Sequence, residues 1–152
     1  MGSHHIVKIE LVMHKQKYKD FVYRKESLES AGFPGLTMNL FHGSRSKSAK
    51  YLIENIDGLD PQFSNDGMWG RGVYFAQNAS YSDGYANQNS DGSREMMYCE
   101  VYVGKYCEMK SDRSLRTPPD GYTSVKGHTS GTDVYMVYKN DRSYIDCVIT
   151  YT

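Results

Sequence analysis

The residues of this chain best suited to chemistry sit at two glycine-bearing junctions, Phe41-His42-Gly43-Ser44 and Gly70-Arg71-Gly72-Val73-Tyr74-Phe75-Ala76. A histidine and a serine bring a proton-exchanging ring and a hydroxyl to the end of the apolar run Met38-Asn39-Leu40-Phe41. Glycine has no Cβ, so the backbone at these points can turn tightly and come close to a ligand. Gly70 and Gly72 lead into an apolar and aromatic run that reads as a buried strand. Two strands that begin or end at such junctions can frame a cleft for a planar, polar ligand. Taken singly, these residues have plainer readings. The glycines fit a hairpin turn, His42 a hydrogen-bonded structural histidine, and Tyr74 and Tyr85 core or sheet-surface aromatics. Their joint order and spacing carries the functional reading.

Other chemistries lack their residues. Gly70-x-Gly72 precedes a strand, whereas a dinucleotide fingerprint needs its glycines between a strand and a helix. No Walker sequence, HExxH, GxSxG or paired-carboxylate motif occurs. Cys99, Cys107 and Cys147 form no CxxC pair and are odd in number, so a disulfide framework and a zinc site are not expected; no metal is assigned. Free buried thiols suit an intracellular protein, cytoplasmic or nuclear. With 18 basic and 18 acidic residues, the chain lacks the basic excess that drives binding to phosphate backbones, which makes nucleic acid an unlikely partner. No apolar run is long enough for a membrane span.

The elements that must hold these junctions can be placed from periodicity. A chain of 152 residues fits one domain with a substantial core. Met1 to His5 resemble the remnant of an affinity tag, leaving 6–152 as the domain. Ile6 to Met13 reads as a strand. Lys15 to Ser30 reads as a helix with Tyr18, Phe21, Val22 and Leu28 inward and its basic residues on a solvated face. The breakers in Ala31-Gly32-Phe33-Pro34-Gly35 end it. Strands are expected at 38–41, 73–76, 95–103, 133–138 and 144–150, and a helix at 46–55. One turn of helix near 78–87 would stack Tyr81 and Tyr85. Asp57 to Gly67 and Ser111 to Gly131 read as loops, and His128 as an exposed loop residue. Fourteen tyrosines suit an aromatic-rich sheet. Strands and helices do not alternate regularly, so the class is α+β.

Four ordered blocks resemble the catalytic domain of the poly(ADP-ribose) polymerase family, the diphtheria-toxin-like ADP-ribosyltransferases. They are Leu40 to Ser44, Gly70 to Ala76 running on through Ser80-Tyr81-Ser82-Asp83-Gly84-Tyr85, Tyr135 to Tyr138, and Tyr144 to Tyr151. The resemblance extends from Ile6 to Tyr151. It implies split antiparallel sheets with a few flanking helices around a cleft for NAD, the co-substrate. It also implies roles. His42 would hydrogen-bond a ribose hydroxyl, and the Gly43 backbone and Ser82 would hold the nicotinamide carboxamide. Tyr74 and Tyr85 would wall the ring, Ser44 would assist on the adenosine side, and Phe75 and Ala76 would complete the binding strand. The segment 58–68 would line the donor site.

One departure matters. Polymerising members carry a glutamate immediately before the Tyr-x-Val-Tyr strand, and here that position is Val134. Valine can neither hydrogen-bond nor take a proton, and a general base is typically worth about 10²–10⁴-fold. Asp133 would face the other side of the strand. The histidine, the tyrosine and an apolar third residue (His42, Tyr74 and Val134) match the family's mono-ADP-ribosyltransferases, so the expectation is transfer of one ADP-ribose to a protein acceptor. A non-catalytic module that binds NAD or ADP-ribose, and transfer to nucleic-acid ends, stay open as alternatives. The oligomeric state is not readable.

Overall fold

The computed structural model describes residues 3–33 and 35–152. Among these, nine strands form a single sheet: β1 (Ile6–Leu11), β2 (Thr37–His42), β3 (Val73–Ala76), β4 (Asn87–Gln88), β5 (Arg94–Tyr102), β6 (Tyr106–Glu108), β7 (Ser124–Thr129), β8 (Thr132–Val137) and β9 (Ser143–Tyr151). The helices are α1 (Lys15–Ser30), α2 (Ala49–Glu54) and α3 (Ala79–Asp83). Strand order is β1-β9-β5-β2-β3-β8-β7-β6, with β4 on the end of β5. The halves meet at β2 and β3, which share one paired position, Phe41 opposite Ala76. This narrow seam is the split between the sheets. All pairs are antiparallel except β6 with β7.

Alternation divides the core. Tyr135 and Val137 of β8 join Leu40, Phe75, Cys99 and Val101 in one cluster, over which α2 places Ala49 and Leu52. Val134, Met136 and Tyr138 turn the other way, onto Trp69, Ala76 and Val125. Phe21 of α1 seals a third cluster with Tyr102 and Tyr144.

The bounds of α1 and β3 match the expectation, and most other strands shift by a residue or two. Pro34 lies outside the described residues, and Gly32, at φ +95°, supplies the helix stop. The basic residues of α1 are not all solvated. Lys17 Nζ donates to the carbonyls of Leu52 (3.0 Å) and Asn55 (2.5 Å) at the end of α2, and Arg24 pairs with Asp141 at 2.7 Å. Part of the expected loop 111–131 is strand β7. Its polar sequence Ser-Val-Lys-Gly-His-Thr hides this, because β7 is defined by its partners β6 and β8. Gly127 is required there, since a Cβ would run into the Trp69 ring. Among the described residues, no helix is long and apolar enough to cross a membrane.

Candidate active site

The ends of β2 and β3, helix α3 and the segment 58–68 enclose a cleft of about 580 Å³. That is within the roughly 300–1,000 Å³ usual for small-molecule sites. His42, Gly43, Ser44, Tyr74, Ser82 and Tyr85 all line it.

His42 is fixed by the strand beside it. Its Nδ1 lies 2.7 Å from the Tyr74 carbonyl. A carbonyl only accepts, so Nδ1 carries the hydrogen. Burial pushes the imidazole pKa down, against the smaller upward pull of this hydrogen bond. The ring is therefore neutral near pH 7, and Nε2 is left as an acceptor suited to a ligand hydroxyl.

Gly43 is a glycine for a reason beyond ligand approach. A Cβ here would collide with the Ser82 carbonyl and with the backbone of Tyr85 and Ala86. The end of β2 thus packs directly on the turn after α3, which places the buried Ser82 and the Tyr85 ring beside the Gly43 backbone. The rings of Tyr81 and Tyr85 pack 5.3 Å apart, as their spacing predicts. The Arg45 guanidinium lies 5.3 Å over the Tyr85 ring while donating to the Gly84 carbonyl. The Tyr85 ring face is thus a place where a cation rests.

Tyr74 lines the cleft while its hydroxyl is engaged within the protein. Its Oη accepts from Trp69 N at 2.8 Å and donates to the Gly70 carbonyl at 2.9 Å. It clamps the tight turn in which Gly67 and Gly70 exchange backbone hydrogen bonds of 3.0 Å. Tyr138 Oη holds the same turn through the Trp69 carbonyl at 2.7 Å. Burial raises the Tyr74 pKa, so its hydroxyl stays protonated.

Three expected positions are not at the cleft surface. Phe75 and Ala76 are 0 % exposed, on opposite faces of β3 in the two main clusters. Val134 is also 0 % exposed, opposite Ala76. Asp133 points elsewhere, 2.9 Å from His128 Nδ1 and 3.6 Å from Lys126 Nζ. His128 is exposed as expected, but on strand β7 rather than a loop.

The rim holds cations that local sequence does not mark. Lys47 Nζ sits between the rings of Tyr51 (4.8 Å) and Phe63 (4.6 Å). Across the cleft, Asp66 pairs with Arg71 at 3.1 Å and Arg116 at 2.9 Å. Loss of water is the largest single effect on its ionisation and pushes the pKa up, but the charges and hydrogen bonds of Arg116 and Arg71 together outweigh it and hold the pKa low. Arg113 lines the cleft and donates to the Asp66 carbonyl at 3.1 Å. Among the described residues, no carboxylate lies in ion-pair range of Arg113. Among the same residues, no group of three or more His, Cys, Asp or Glu could hold a metal ion.

Comparison with known proteins gives a consistent result. Residues 2–150 match the family profile described as the poly(ADP-ribose) polymerase catalytic domain. A probable poly [ADP-ribose] polymerase of Dictyostelium discoideum is 30 % identical over 161 aligned residues, covering 99 % of this chain and 45 % of that protein. Protein mono-ADP-ribosyltransferase PARP14 of Homo sapiens is 25 % identical, covering 96 % of the chain and 9 % of its own length. Protein mono-ADP-ribosyltransferase PARP4 of Mus musculus is 32 % identical, covering 67 % and 6 %. The chain thus spans less than half of each of these relatives. With the profile match running through nearly the whole sheet and both sides of the cleft, the chain belongs to the poly(ADP-ribose) polymerase catalytic-domain family.

Proposed function

We propose that this domain transfers a single ADP-ribose unit from NAD to a protein acceptor and releases nicotinamide. The observation that carries the reading is the pairing of an intact His42–Gly43–Ser82–Tyr85 cleft with a sealed, apolar Val134. The donor half is equipped for NAD. The neutral His42 Nε2 accepts from a ribose hydroxyl, and the Gly43 backbone and Ser82 meet the carboxamide. The Tyr85 face takes the cationic nicotinamide ring in the way it takes Arg45. Fixing both ends of the donor aligns C1′ for attack.

The acceptor half has no base where a glutamate would stand. Named relatives include both polymerase and mono-transferase, so the choice rests on Val134. A neutral sugar hydroxyl needs a base to become a good nucleophile, whereas a carboxylate does not. In the reaction the C1′–N bond breaks with its electron pair going to nicotinamide, which leaves neutral. A carboxylate oxygen of the acceptor forms the new C1′–O bond, and no proton has to be removed. Arg113, at the rim without a carboxylate of its own, is suited to hold that acceptor.

The test is nicotinamide release from NAD by the purified chain, beside His42→Ala. Release by the wild type is expected, with NAD affinity about ten-fold weaker in the variant, equivalent to about one hydrogen bond. NAD binding with no release, with or without protein acceptors, would favour a non-catalytic reader.

A further inference from the structure

Strand β1 forms one edge of the sheet, since its other neighbour in the strand order is absent among the described residues. Unpaired edges are templates for another strand, and folded proteins usually blunt them with charge or irregularity. Here the edge carries unusual apolar exposure. Ile6, Val7, Ile9, Leu11 and Met13 are each between 57 % and 88 % exposed.

The hydrogen-bond phase of β1 is fixed by its inner partner. Val12 N donates to the Asp146 carbonyl at 2.8 Å, and Leu11, Glu10, Ile9 and Lys8 pair in unbroken register with Cys147, Val148, Ile149 and Thr150. Backbone groups alternate in direction along an antiparallel strand. Val12, Glu10 and Lys8 therefore face β9, and the N–H and C=O groups of Leu11 and Ile9 face outward. The register shift between Ile6 and Lys8 ends this regular stretch.

We propose that two copies of this chain associate through β1, antiparallel about a twofold axis at Ile9. Charge selects this register. Centred on Ile9, each Lys8 lies opposite the Glu10 of the other copy, and Ile9 meets Ile9. Centring on Lys8 or on Glu10 would set like charges face to face, which is unfavourable for directly opposed pairs. Lys8 and Glu10 already meet at 3.2 Å on one face of the strand, leaving Ile9 and Leu11 on the other. The twofold pairing therefore joins two apolar stripes on one face and interleaves four charges on the other. The short ladder makes this a weak dimer that grows with concentration.

Directed cross-linking tests the register in the full chain carrying Cys107→Ser, which leaves only the buried Cys99 and Cys147 as native thiols. Opposed Cα atoms in a hydrogen-bonded antiparallel pair lie about 5.5 Å apart, within disulfide reach. Under mild oxidation Ile9→Cys should dimerise at least ten-fold faster than Lys8→Cys. A mixture of Lys8→Cys and Glu10→Cys should yield the mixed dimer in preference to either homodimer. Light scattering should show the average mass of the wild-type chain rising above 17.4 kDa with concentration, and Ile9→Lys should stay monomeric. A mass that stays at one chain at every concentration would overturn the proposal and leave this edge to another partner. Equal cross-linking of Lys8→Cys and Ile9→Cys would overturn it as well.

Discussion

Val134 lies directly across the β3–β8 ladder from Ala76, and neither residue has exposed surface. Trp69, Val125 and Met136 close over the pair, with Tyr74 and Tyr81 packed against the same cluster. The position at which polymerising relatives are expected to place a carboxylate is therefore both apolar and sealed. Lack of a base here reflects the packing of the whole cluster rather than one side chain.

A single substitution should not restore the missing chemistry. Val134→Glu would bury a carboxylate among apolar side chains with no cation beside it. We expect a loss of stability of about 3 kcal/mol or more in denaturant unfolding. Nicotinamide release should not rise, and no chains of ADP-ribose should form. Stable folding with chain growth would show that the cluster tolerates the charge.

Tyr74→Phe should separate the ring from the hydroxyl. Removing Oη leaves the Trp69 N–H and the Gly70 carbonyl without their shared partner. The expected cost is about 1–3 kcal/mol of stability by chemical denaturation. Because the ring wall remains, NAD affinity measured by calorimetry should fall far less than in His42→Ala. A large loss of affinity with unchanged stability would mean that the hydroxyl meets the ligand.

Gly127→Ala probes how strand β7 supports the cleft from behind. The new methyl would meet the Trp69 ring, whose Nε1 donates to the Met109 carbonyl at 3.2 Å and whose backbone anchors the Tyr74 turn. Overpacking should cost about 1–3 kcal/mol, read as a lower melting temperature. Any loss of NAD affinity should accompany it rather than occur alone.

Much of this arrangement is legible from local sequence. Helix α1 declares itself by its apolar spacing, and β3 by its glycine entry and aromatic run. The ordered blocks point to six cleft residues: His42, Gly43, Ser44, Tyr74, Ser82 and Tyr85. What stays hidden depends on distant partners. Strand β7 is polar and glycine-bearing, and only Trp69 and the neighbouring strands make it a strand. Phe75 and Ala76 share the motif of Tyr74, but both are buried, Phe75 on the opposite face of β3 and Ala76 on the Tyr74 face beneath Trp69 and Val134. Arg45, Lys47 and Arg113 come from loops whose positions around the cleft no local pattern encodes.

The pH dependence of stability should carry the mark of one carboxyl. Asp146 on β9 has its pKa raised to about 7, first by burial, then by a hydrogen bond with Glu100 and by the Glu100 charge. In the folded state it holds its proton up to about pH 7, whereas the unfolded chain releases it near its ordinary value of 3.8. The contribution is therefore full below the unfolded value and is lost as pH rises through the folded one. Thermal melts should show stability from this source falling between about pH 4 and 7, and Asp146→Asn should flatten that decline. An unchanged profile in the variant would assign the decline to other groups.

The proposed activity adds one ADP-ribose unit and stops. Intact-mass and peptide-level mass spectrometry of the chain after incubation with NAD tests it most directly. Discrete additions of one ADP-ribose at each modified residue are expected, lost in His42→Ala. Several ADP-ribose units linked in series on a single residue would contradict it.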